Sequence, residues 1–82
     1  MTKKSLTRDE LYLVKLLEIA GFEEIDRYLV GQAMGQNNRS VDNIVRMLAQ
    51  TNFIKKGKEN SIYMTQNGES LVKSLIETGS AI

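Results

Sequence analysis

Arg39, Asn43, Arg46 and Gln50 follow one another at intervals of four, three and four residues, the spacing that lines side chains along one face of a helix. In a DNA major groove, Arg bonds guanine through two hydrogen bonds, and Asn or Gln bonds adenine in the same way. Asn38 and Ser40 stand at the start of the same segment, where a helix N-terminus offers free N–H groups to a phosphate. Their alternative role is helix capping, and the arginines' alternative role is plain solvation. Lys55, Lys56 and Lys58 come next. They suit backbone phosphate or an adjacent minor groove, contacts that add affinity without sequence information. Lysines on an exposed strand edge also discourage aggregation, and the two roles are compatible.

Net charge is +1, too little to argue for a nucleic-acid partner, but its distribution is uneven. Residues 36–58 carry five basic side chains against Asp42 alone, a local charge of +4. Residues 1–35 sum to −1 and residues 59–82 to −2. A cluster of this kind is the footprint of a phosphate-binding face.

Catalytic chemistry finds little here. The chain has no His and no Cys, so the commonest general base, the thiol nucleophile and the usual zinc ligands are missing. The acidic pairs Asp9/Glu10 and Glu23/Glu24 fall at expected helix starts, where capping and the helix dipole account for them. Gly31 and Gly35 sit within helical periodicity and not after a strand, which argues against a phosphate-cradling loop. The reading is a non-enzyme without metal or cofactor. Eighty-two residues at 41% hydrophobic content allow one domain across 1–82, with 1–6 a flexible lead and 79–82 a C-terminal tail. No apolar run reaches the ~18 residues of a membrane span and no signal-peptide pattern opens the chain, so a cytoplasmic location is expected.

The elements that must position these residues are legible in part. Thr7 with Glu10 forms a capping box, and the pattern predicts a helix over 8–20 with Leu11, Val14 and Leu17 inward. Leu13 and Leu16 widen its apolar surface beyond one face. A second helix is predicted over 23–34, with Ile25, Leu29 and Ala33 as its inner row. Gly31 suits a close helix crossing, and Gly35 suits a left-handed residue that ends the helix. Gln36, Asn37 and Asn38 form a polar turn into a third helix over 38–51, whose Val41, Ile44, Val45 and Leu48 make a narrow core stripe. Asn52 suits its left-handed end. The periodicity then shifts to alternation across 53–65, a β-hairpin turning at Gly57-Lys58-Glu59-Asn60. A last helix is predicted over 66–78 with Leu71, Val72 and Leu75 inward, and the expected core also includes Ile54, Ile62 and Met64.

The order α-α-α-β-β-α describes a mainly α fold with a small β-hairpin, a winged helix-turn-helix. Phe53-Ile54, a charged turn, and Tyr63-Met64-Thr65-Gln66-Asn67-Gly68-Glu69-Ser70-Leu71 resemble the wing and following helix of MarR-like and related small winged-helix regulators. The resemblance covers about residues 8–78. It implies a prokaryotic or viral transcription regulator that binds double-stranded DNA sequence-specifically, with 38–51 as recognition helix and 55–60 as basic wing. The chain lacks the further helices with which full-length MarR-type proteins dimerise. Surplus apolar residues, namely Leu13, Leu16, Ile76 and Ile82, nevertheless suggest a homodimer interface. The alternatives are a winged-helix module that binds protein and not DNA, and a plasmid or phage replication or partition factor.

Overall fold

Thr7 opens the first helix of the computed structural model, which describes residues 6–78. The Thr7 hydroxyl accepts from the Glu10 N–H at 3.1 Å, and the Glu10 carboxylate accepts from the Thr7 N–H at 2.9 Å. Two otherwise unpaired donors are thereby satisfied. Helix α1 runs Arg8–Ala20. A two-residue strand β1, Ile25–Asp26, leads into α2, Arg27–Ala33, and then α3, Asn38–Gln50. Strands β2, Ile54–Lys56, and β3, Ser61–Met64, form the hairpin, and α4 covers Gln66–Thr78. The sheet is antiparallel throughout with order β1-β3-β2, in register Ile25↔Ile62 and Ile54↔Met64.

Four helices and the hairpin agree with expectation, and β1 does not. The predicted second helix over 23–34 starts four residues late because Asp26 takes extended geometry and accepts the Tyr28 N–H on its carboxylate at 2.8 Å. That frees Ile25 and Asp26 to pair with the open edge of β3. Glu23 and Glu24 consequently lie ahead of the helix and not in its first turn.

Both ends of the α2 to α3 sequence are set by the same device. After α2, Gly35 adopts φ 75°, and the Gly35 and Gln36 N–H groups bond back to Gln32 and Gly31 carbonyls at 3.1 and 2.9 Å. After α3, Asn52 adopts φ 68°, and the Asn52 and Phe53 N–H groups bond to Ala49 and Leu48 carbonyls at 3.1 and 2.9 Å. These are paired Schellman closures, each using a residue that tolerates left-handed geometry. Thr65 then joins two elements. Its hydroxyl donates to the Asn52 carbonyl and accepts from the Gly68 N–H, which starts α4 against the end of α3.

The core gathers Tyr12, Leu13, Leu16, Val30, Val41, Ile44, Val45, Leu48, Ile54, Ile62, Met64 and Val72. It corrects the phase of two helices. In α1 the buried row is Tyr12, Leu13 and Leu16, whereas Leu11 is 46% exposed and Val14 and Leu17 are half-buried. In α2 the buried residues are Val30 and Gly31, and Leu29 is 52% exposed. An overly apolar helix and a seven-residue helix each offer more than one stripe, so packing partners choose between them. Tyr12 is anchored by its hydroxyl, which donates to the Arg27 carbonyl at 2.8 Å.

Candidate nucleic-acid interface

Asn37 begins α3 by accepting the Ser40 N–H on its side chain at 2.9 Å. Asn38 and Ser40 therefore occupy the first turn and are not the cap; Asn38 is exposed and Ser40 half-buried. Val41, Ile44 and Val45 are fully buried, and Leu48 nearly so. This fixes the rotation of the helix about its axis. A side chain at Gly31 would collide with the Val41 methyl, so the absence of one lets α2 and α3 cross at close range. With the inner stripe so held, Arg39, Asn43, Arg46 and Gln50 all stand exposed on the opposite face. Arg46 Nη2 donates to Asn43 Oδ1 at 3.1 Å, joining two members of that row.

Asp42, the single acidic residue of the basic segment, is engaged from α2. The Tyr28 hydroxyl donates to Asp42 Oδ1 at 2.8 Å, and Arg27 Nη1 lies 3.7 Å from the same oxygen. The bond to Asp42 holds the Tyr28 hydroxyl above the usual phenol pKa, with some burial adding to the shift. Arg27 also faces the hairpin. Its Nε and its backbone N–H both donate to the Asn60 carbonyl, at 3.0 and 3.1 Å. No pattern of residues marks this role for Arg27 and Tyr28. The one available hint was an isolated Asp within a run of positive charge.

The hairpin carries Lys55 and Lys56 on β2 and Lys58 in its turn, all exposed. The turn is closed by the Gly57 N–H to the Ser61 carbonyl and the Ser61 N–H to the Lys58 carbonyl, both 2.8 Å. Gly57 lies under the Glu24 carboxyl, which would stand 2.7 Å from a side chain there.

Ion pairs separate the cations into two groups. Outside 36–58, each described basic residue has a carboxylate partner: Arg8 with Asp9, Lys15 with Glu18, Arg27 with Asp42, and Lys73 with Glu69. Among the described residues Arg39, Arg46, Lys55, Lys56 and Lys58 have none. Among the described residues, the unpaired positive charge therefore lies on α3 and the hairpin.

The residues expected at a dimer interface divide differently. Leu13 and Leu16 belong to the core and have no accessible surface, because the hairpin and the other helices consume the α1 surplus. Ile76 is 51% exposed, and Ile82 lies outside the described residues. Leu11 and Val14 line an open groove of about 550 Å³ together with Arg8, Lys15 and Glu18 and with Met34 and Gln36. Among the described residues, no helix is long and apolar enough to cross a membrane. No protein-family model and no curated protein sequence matches the chain.

Proposed function

We propose that this protein binds double-stranded DNA as a small winged helix-turn-helix regulator, with α3 in the major groove and the β2–β3 hairpin as a wing on the backbone. The observation that carries the reading is the segregation, among the described residues, of unpaired cations onto α3 and the hairpin. An exposed cation that is not held in an ion pair stays available to phosphate, and counterion release rewards each such contact. The Arg39, Asn43, Arg46 and Gln50 row supplies residue types that read base edges. The layout of four helices and a three-stranded antiparallel sheet is compatible with this architecture.

The protein acts as a homodimer in this reading. One recognition helix makes few contacts, whereas two related by a two-fold axis match half-sites about 34 Å apart. Exposed Leu11, Ile19 and Ile76 supply apolar surface for pairing. The same surface, with the groove along α1, favours the second reading, a module that binds another protein. Fluorescence anisotropy on a duplex selected for tight binding, with an Arg39→Ala/Arg46→Ala double variant, separates the two. Loss of binding in a variant that remains folded supports the DNA reading. Unchanged affinity transfers the function to the apolar surface.

A further inference from the structure

We infer that Arg27 is a positioning residue that clamps the hairpin to α3, so that both present their cations to one duplex. The inference rests on the DNA reading and identifies how its two halves are kept in register. Arg27 is nearly buried, with 12% of its side chain exposed, and it is committed on two sides. On one side the Asn60 carbonyl, at the end of the hairpin turn, accepts both the Arg27 backbone N–H and Nε. On the other side Nη1 faces the Asp42 carboxylate of α3 at 3.7 Å, and the same oxygen accepts the Tyr28 hydroxyl. The residue's own carbonyl accepts the Tyr12 hydroxyl from the core. A single guanidinium thus spans hairpin and helix from a backbone fixed on a third element.

The chemistry favours Arg at this position over Lys. A planar guanidinium directs several N–H groups along fixed lines, so it can hold a carbonyl and a carboxylate together. An ammonium on a flexible stem reaches one or the other. The hairpin needs such a tie. β1 pairs over two residues and β2 over three, a short sheet to fix a projecting turn. Asp42 also changes meaning: as the acidic residue of a phosphate-facing segment it would repel DNA, and Arg27 and Tyr28 engage that charge from behind.

The clamp predicts a signature different from that of a phosphate contact. A hairpin that wanders lowers the fraction of protein in the binding arrangement, and apparent affinity falls by that fraction at every salt concentration. The bound complex is unchanged, so the slope of log affinity against log salt stays as it was. Losing a phosphate contact instead shallows the slope by about one unit.

The test uses Arg27→Gln and Arg27→Lys in the whole chain, with amide hydrogen exchange in free protein and anisotropy on a mixed-sequence duplex across a salt series. Expected for Arg27→Gln are faster exchange confined to the Gly57 and Ser61 amides and about tenfold weaker duplex binding with an unaltered salt slope. Arg27→Lys should recover part of both effects. It keeps the stem and the charge, and serves alone if the glutamine variant does not fold. Unchanged exchange in the hairpin overturns the clamp, as does exchange raised uniformly across the protein. A salt slope reduced by about one unit does so too, since Arg27 would then touch phosphate itself. Full recovery by lysine refutes the two-sided geometry. If the unaltered protein fails to bind duplex DNA, the DNA reading falls, and the exchange rates alone decide the clamp.

Discussion

In the proposed complex, single side chains divide into base readers on α3 and phosphate anchors on the hairpin. Arg46 donates a hydrogen bond to Asn43 on the exposed face, an arrangement that in the proposed complex would orient both toward a base edge. Arg46→Ala or Asn43→Ala should weaken binding to a selected site by roughly 1–3 kcal/mol while leaving random duplex nearly unaffected. Competition between selected and random duplex measures the difference. Lys56→Ala should instead weaken both duplexes alike and shallow the salt slope by about one unit. The exposed row of α3 was legible because the helix is thirteen residues long with a narrow buried stripe, which leaves one choice of outward face. Arg27 was not legible. Its partner Asn60 is thirty-three residues away and offers only a backbone carbonyl, which no sequence pattern marks.

Whole elements are placed by small residues and turn closures. Gly31→Val would drive a side chain into Val41 and force α2 and α3 apart, at a cost of about 1–3 kcal/mol in folding stability. It should also reduce DNA binding beyond what unfolding explains, because the outward face of α3 rotates with the crossing. Gly35→Ala meets open space but needs φ 75°, and should cost about 1 kcal/mol with little effect on binding. Chemical denaturation of the two variants, paired with anisotropy, separates these outcomes. Helix starts at Thr7 and ends at Gly35 and Asn52 were readable because local hydrogen bonds decide them. Strand β1 was not, since two residues carry no period and form a strand only when β3 presents an edge. The buried rows of α1 and α2 were misassigned for a related reason. Leu11, Val14 and Leu17 make as good a stripe as Tyr12, Leu13 and Leu16, and contacts with the sheet and α3 decide between them.

Across the molecule, two tyrosines predict the alkaline limit of stability. Burial pushes the Tyr12 hydroxyl well above the usual phenol range, with the Arg27 charge partly opposing. The bond to Asp42 raises Tyr28. Both folded-state values lie above those of the unfolded chain, so the folded protein holds these protons after the unfolded chain has released them. Stability is therefore full below about pH 10 and declines as pH rises above it. Thermal melts from neutral to alkaline pH should show the decline, and Tyr12→Phe should flatten it. At the same scale, sedimentation equilibrium at micromolar concentration should give a dimer; a 9.3 kDa species in free protein, with a single chain on each duplex, would remove the pairing.

In the proposed complex the unpaired lysines of the hairpin meet phosphate while the arginines of α3 read base edges. The most direct measurement of this division is the salt dependence of binding to random and selected duplexes. If Lys55, Lys56 and Lys58 each neutralise one phosphate while Arg39 and Arg46 read base edges, log affinity for the random duplex should fall linearly with log salt at a slope of about −2.7 per chain. The selected duplex should bind about a thousandfold or more tightly than the random one. No binding at low salt, or an affinity indifferent to salt, would rule out DNA binding through these residues.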